Sequence, residues 1–138
     1  MPDKTIVAAA QLDIKLGETQ TNLARMLAYA GEAAGNGANL IIFPECSLTG
    51  YQFDSREEAL SYAEIVPGPA VKAIASMCLE LHVYVIFGLL AQSEEKLFNT
   101  SVLVGPGGLI YAYHKNHIAF QAVDRFVEKG DRPFKLCE

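Results

Sequence analysis

The chain is short of the features that mark several large functional classes. Only three of its 138 residues are cysteines, Cys46, Cys78 and Cys137, an odd number with no Cys-x-x-Cys pair. That argues against a disulfide framework and against structural zinc, and it makes a reducing, cytoplasmic setting the expectation. Apolar runs are short, and none reaches the roughly 18 residues of a membrane-spanning segment. The start, Met1-Pro2-Asp3-Lys4, has neither the basic region nor the apolar run of a secretory leader. Positive charge is also scarce: 11 basic residues face 16 acidic ones, for a net charge of −5. Phosphate contacts need a clustered basic surface, and none is visible, so neither nucleic acid nor membrane is an expected partner.

What is present is globular. Apolar residues make up 51% of the chain and charged residues 20%, a balance able to build a core. The length suits one domain.

The pattern along the chain alternates between strand and helix. Residues 5–14 are apolar and run into a turn at Gly17, which predicts a buried strand. From residue 18 to 34 the apolar positions Leu23, Met26, Leu27, Ala30 and Ala34 take helical spacing. Thr19 or Thr21 is the expected cap, and Gly35-Asn36-Gly37 the expected stop. Residues 39–43 are almost wholly apolar, as in a strand covered on both faces. Strand, short connection, helix and strand make a βαβ unit, so these two strands should be parallel neighbours.

Residues 44–69 read as a long loop holding about one helical turn, and such loops are often functional. A second helix follows, with Val71, Ile74, Ala75, Cys78 and Leu81 on one face. His82 is expected to complement its C-terminus. Residues 83–89 again read as a doubly covered strand. Residues 98–104 and 109–115 form a hairpin around Gly105-Pro106-Gly107-Gly108. The fold class is therefore α/β, a mixed sheet with both helices on one face. Two helices cover one side only, so a further sheet, from more sequence or a partner chain, is expected on the other.

Two charged residues interrupt this pattern. Glu45 follows Ile41 and Phe43 on what alternation makes one face, at the carboxyl end of a strand, where α/β sheets build their sites. The same alternation predicts partial desolvation and a raised pKa, the setting of a general base. Lys115 closes the hairpin on the face of Tyr111 and Tyr113. Beside Glu45 it becomes a candidate to neutralise an oxyanion. On position alone, a solvated charge at a strand end remains the alternative for each.

The motifs around these residues carry a resemblance. Gly37-Ala38-Asn39-Leu40-Ile41-Ile42-Phe43-Pro44-Glu45, followed by Leu48-Thr49-Gly50-Tyr51, resembles the first catalytic block of the nitrilase (carbon–nitrogen hydrolase) superfamily. Tyr113-His114-Lys115-Asn116-His117 resembles its second block. Ala10-Gln11, Asn22, Pro67-Gly68-Pro69 and Asn99 are supporting matches in the right order. The resemblance implies a four-layer α-β-β-α sandwich, of which this chain supplies roughly half. It also implies a Glu-Lys-Cys triad working without metal or organic cofactor, with Glu45 as base and Lys115 as oxyanion stabiliser. The thiol to be activated has a free pKa of about 8.5. Tyr51 and the loop after it are expected to border the substrate pocket.

The match has gaps. The family's nucleophile lies on a later block, so residues 1–138 read as the N-terminal part of one domain that stops before its cysteine. Cys46 should point away from Glu45 along an extended chain. Cys78 reads as inert core, and Cys137 lacks the Tyr-Asp that follows the family's nucleophile. The family's auxiliary acid would fall near Ala122 or Val123. Asp124 is the nearest carboxylate and Gln121 a weaker candidate. His114 and His117 more readily serve as hydrogen-bonding groups than as metal ligands.

The expected function is thus hydrolysis of amides, ω-amides, N-carbamoyl compounds or nitriles, with a small-molecule substrate and a homo-oligomeric assembly. The alternatives are a non-catalytic binding or assembly module and a metal-dependent phosphoesterase of similar layering.

Overall fold

Residues 4–137 are described by a computed structural model of the chain. Strand β1 (Val7–Ala9) leads through a turn into helix α1 (Thr19–Gly35) and back to β2 (Leu40–Ile42). A long connection holds the short helix α2 (Arg56–Ser61), and helix α3 (Pro69–Leu81) precedes β3 (Tyr84–Ser93). Then come β4 (Lys96–Gly105), β5 (Gly108–His114) and a 3-10 turn, Ala122–Arg125. The five strands form one sheet in the order β1-β2-β3-β4-β5. The first three run parallel, and β3, β4 and β5 run antiparallel. The architecture is the expected mixed α/β sheet, and the βαβ unit is parallel as its short connections require.

The helices form where the apolar spacing places them. Met26 and Ala30 of α1, and Val71, Ile74 and Cys78 of α3, are buried against Ile41, Val85, Phe87, Val102 and Val104 of the sheet. Truncating one such side chain, as in Ile74→Ala, typically costs about 2–5 kcal/mol. Two caps differ from expectation. Thr19 and Thr21 lie inside α1, whose N-cap is Glu18 with no side-chain bond. His82 ends α3 through its backbone, in a left-handed conformation with its N–H on the Cys78 carbonyl.

Predicted spans also shift, the third strand running on to Ser93. The first strand covers Val7–Ala9 only, and the second stops at Ile42. The long connection is not loose. Cys46, Phe53, Ala59, Leu90, Leu97 and Val123 make a second, smaller core beneath it. Asn22 of α1 pins its start, donating to the carbonyls of Lys15 (2.7 Å) and Leu48 (2.9 Å).

Among the described residues the opposite face of the sheet carries no helix. There Leu40, Ile42, Tyr84, Ile86, Leu103, Tyr111 and Tyr113 are half-buried. The chain's own last residues lie against part of this face. Phe134 stacks on Tyr113 at 5.0 Å, and the Tyr111 hydroxyl donates to the Pro133 carbonyl at 3.2 Å. Among the described residues no helix is long and apolar enough to cross a membrane.

Candidate active site

Three chain segments meet at the ends of β2, β4 and β5. After Ile42 the chain leaves the sheet and turns over residues 45–49, presenting the Glu45 carboxylate. Asn99 lies on β4 and Lys115 immediately follows β5; the Lys115 backbone N–H donates to the Asn99 carbonyl at 2.8 Å. The 3-10 turn brings in Asp124 from below. Its position is held by the Val123 N–H on the Tyr51 carbonyl (3.0 Å) and the Asp124 N–H on the Gln121 carbonyl (3.0 Å).

The side chains form a single hydrogen-bonded cluster. The Lys115 ammonium donates to Glu45 Oε1 at 2.8 Å and to Asp124 Oδ2 at 2.7 Å. Asn99 Nδ2 donates to the same Glu45 Oε1 at 2.6 Å and to Asp124 Oδ1 at 3.1 Å. A third donor, the Ala119 N–H, reaches Asp124 Oδ2 at 3.2 Å. The Asp124 side chain is wholly buried, that of Lys115 is 28% exposed and that of Glu45 50% exposed. The expected desolvation of Glu45 is therefore not met. The strand ends before it, so alternation no longer sets its environment.

Electrostatics follow from this geometry. Burial alone favours the neutral amine of Lys115, but hydrogen bonds and charge from Asp124 and Glu45 hold its ammonium well above the ordinary lysine range. Burial likewise favours a protonated Asp124, yet Lys115, Asn99 and the Ala119 N–H hold its carboxyl below the ordinary value. Both groups are thus charged at neutral pH. The half-exposed Glu45–Lys115 pair is a weak source of stability, under about 1 kcal/mol. Its significance is chemical.

Glu45, Asn99, Lys115 and Tyr113, with Ile42, Phe43, Pro44, Ile86 and Gly88, line a cleft of about 350 Å³. It lies on the helix-free side of the sheet, because Ser101 pairs with Tyr113 and Gly88 with Ser101 in register. Tyr51 does not line it. Its ring stands 5.8 Å from the Lys115 ammonium, and burial together with the Asp124 carboxylate raises its phenol pKa.

The other candidates fall into place around the cluster. The Gln121 side chain is exposed and makes no hydrogen bond to it, and Asp124 occupies the position next to Lys115. Cys46 departs from expectation. A left-handed backbone (φ 49°) turns it inward instead of away, and its thiol donates to Asn99 Oδ1 at 3.6 Å. Burial, then the nearby Glu45 and Asp124 charges, push that thiol up to about 12. Cys78 is buried in the main core as read, pushed by burial up to about 11. Cys137 is half-buried near the helix-free face. His114 stacks on Phe98 at 4.2 Å and pairs through Nδ1 with the Thr100 hydroxyl at 2.8 Å. Burial, then Arg132, lowers its pKa. No group of three metal-ligating side chains occurs among the described residues.

Two contributors were not foreseen. Asn99 is only a supporting motif match in the sequence, although the period of two along β4 puts it on the face of Ser101 and opposite Lys115. Gly88 carries no signal in the sequence beyond its place in a strand. A Cβ there would stand 2.9 Å from the Glu45 carbonyl carbon and closer still to the Cys46 nitrogen, so only glycine admits the turn that carries Glu45.

Residues 6–136 match the carbon-nitrogen hydrolase family. The chain belongs to that family. It is 32% identical over 133 residues to a nitrilase from Pyrococcus abyssi, covering 96% of this chain and 50% of the relative. It is also 32% identical over 99 residues to an omega-amidase from Homo sapiens, covering 70% of this chain and 35% of that protein. Among solved structures, an N-terminal amidase with a Gln-Val peptide superposes with a TM-score of 0.78 at 26% identity. That match covers 89% of this chain and 30% of the other. A carbon–nitrogen hydrolase superfamily protein from Xanthomonas campestris shares the fold, with a TM-score of 0.76 at 23% identity over 91% of this chain and 46% of that one. The chain spans about half or less of the length of these relatives. In this member of the family, the helix layer and the sheet correspond to two of the four layers that the family resemblance implies.

Proposed function

We propose that residues 1–138 are the N-terminal part of a hydrolase of non-peptide carbon–nitrogen bonds, working through Glu45, Lys115 and a cysteine beyond residue 138. The observation that carries this reading is the Lys115 ammonium, held between Glu45 Oε1 and Asp124 Oδ2 at the edge of an open cleft. A fixed positive charge beside a solvent-reachable carboxylate is what thiol-based amide hydrolysis requires.

An amide substrate is hydrolysed in two stages, acylation of the thiol and hydrolysis of the thioester. Glu45 takes the thiol proton as the sulfur attacks the carbonyl carbon, and the resulting oxyanion is neutralised by Lys115. Glu45 then gives the proton to the leaving nitrogen, the carbon–nitrogen bond breaks and a thioester remains. Water, deprotonated by Glu45, attacks the thioester. The acid departs and the proton returns to the thiolate. Asp124 keeps Lys115 charged throughout and is the auxiliary acid of this scheme, while the Tyr51 ring stands beside the ammonium, outside the cleft.

Cys46 does not fit the nucleophile's part. It is fully buried, and its thiol is held protonated below the cluster instead of facing the cleft. Small amides, ω-amides, N-carbamoyl compounds and nitriles are the candidate substrates, and no organic cofactor or metal enters any step. Three free cysteines fit a cytoplasmic setting.

The test is turnover of small amides by the whole protein, followed as ammonia release. Glu45→Gln and Lys115→Ala should each lower kcat by at least about a hundredfold. Wild-type rates in either variant would sink the proposal.

A further inference from the structure

Asn99 is buried, at 4% exposure, and touches each polar partner of the site. Its Nδ2 bonds Glu45 and Asp124, its Oδ1 accepts from the Cys46 thiol, and its backbone carbonyl accepts from the Lys115 N–H. Only one orientation of the amide satisfies this set. Flipped, its oxygen would face two carboxylates and its NH2 would face a thiol hydrogen.

Both hydrogen bonds to Glu45 fall on Oε1, one from Asn99 at 2.6 Å and one from Lys115 at 2.8 Å. Oε2 accepts none from the described residues. We propose that Asn99 is a positioning residue that commits Glu45 Oε1 to binding and leaves Oε2 as the atom that takes the proton. This rests on the functional reading above, in which Glu45 is the base.

A carboxylate held by one ammonium can rotate and offer either oxygen. A second donor on the same oxygen, fixed to β4, sets the carboxylate plane and aims Oε2 into the cleft. Asn99 is in turn held from behind by Cys46, whose thiol stays a donor because burial keeps it protonated. The charged and titratable groups facing Asn99 are Glu45 and Cys46 from the turn, Lys115 after β5, Asp124 from the 3-10 helix and Tyr51 above Lys115. A neutral donor is the only side-chain type that serves both carboxylates without adding charge. An aspartate there would set a third carboxylate against the other two.

The experiment compares Asn99→Asp and Asn99→Ala with Glu45→Gln in the whole protein. Asn99→Asp should lower kcat by about thirtyfold or more with KM within about threefold, the mark of a transition-state effect. The acid limb of its kcat/KM profile should move to higher pH, because a like charge disfavours the ionised base. Asn99→Ala should lower kcat without that acid-limb shift of comparable size. Wild-type kcat and an unmoved acid limb in both variants, with Glu45→Gln inactive, would overturn the role of Asn99 while leaving the function intact. A fully active Glu45→Gln would instead remove the functional reading, and the role of Asn99 with it. A measurement on the unsubstituted protein covers variants that fail to fold. The Asn99 side-chain amide protons, followed by 15N NMR, should shift with carboxylate titration, and indifference to pH from 3 to 7 would contradict the proposal.

Discussion

Replacing Asp124 with asparagine changes one oxygen to an NH2 group and removes one charge, leaving the shape nearly unchanged. In the native site the carboxylate accepts three hydrogen bonds, from Lys115, Asn99 and the Ala119 N–H, at 2.7, 3.1 and 3.2 Å. An asparagine amide can accept on one side only, so at least one donor pair is set face to face in a wholly buried position. Lys115 retains Glu45, but that bond lies at a half-exposed carboxylate and is screened. A lost charged hydrogen bond is worth about 1.5–3 kcal/mol, and a stranded buried donor about 1–3 kcal/mol. Lys115 is itself 28% exposed and partly rescued by water, so the smaller end of that sum applies, about 3 kcal/mol at pH 7.

The pH dependence gives the prediction its sign. The native carboxyl of Asp124 is held below its unfolded value, so its contribution is complete above the unfolded pKa of about 3.9. It is lost as pH falls from there through the lower native value. Urea denaturation of wild type and Asp124→Asn at pH 7 and at pH 3 measures both quantities. The stability gap should be about 3 kcal/mol at pH 7 and visibly smaller at pH 3. A gap below about 0.5 kcal/mol at pH 7, or one unchanged at pH 3, would refute the argument.

Two further outcomes follow from the same geometry. Gly88→Ala places a methyl group against the Glu45–Cys46 peptide and should cost about 1–3 kcal/mol by denaturation while lowering turnover; a neutral variant would mean that the turn has room to move. In thiol labelling at pH 8, Cys46 and Cys78 are buried with raised pKa values, so Cys137 should be labelled fastest of these three, and fast native labelling of Cys46 would contradict its place beneath Asn99.

Much of the site was legible because strand periodicity is local. Four apolar residues before Pro44, Leu40 to Phe43, and alternating tyrosines before Lys115 fix two strand ends, and a mixed sheet brings them together. The same rule misled once the strand stopped. Alternation was extended from Phe43 to Glu45 and Cys46, but the sheet ends at Ile42 and the turn reverses Cys46 through φ 49°. Nothing in the local sequence marks that reversal. The turn packs against Gly88, a residue 42 positions from Cys46, whose bare backbone admits the close approach. Asp124 could be named as the nearest carboxylate, since a loop offset of one residue is easily absorbed. Its contact with Asn99 could not be read, because it depends on the 3-10 turn and on the Val123–Tyr51 bond. A further sheet is the expected cover of the helix-free face, and what lies there among the described residues is the segment 133–135 against β5, whose contact no periodic pattern announces.

The central claim is that Glu45 and Lys115 serve a nucleophile that is none of Cys46, Cys78 and Cys137. The direct measurement is peptide mapping of the acyl adduct trapped when the whole protein turns over a slow amide substrate. The account predicts one acyl group on a cysteine beyond residue 138, absent in Lys115→Ala. An adduct on Cys46, Cys78 or Cys137, or full turnover with no covalent adduct at all, would contradict it.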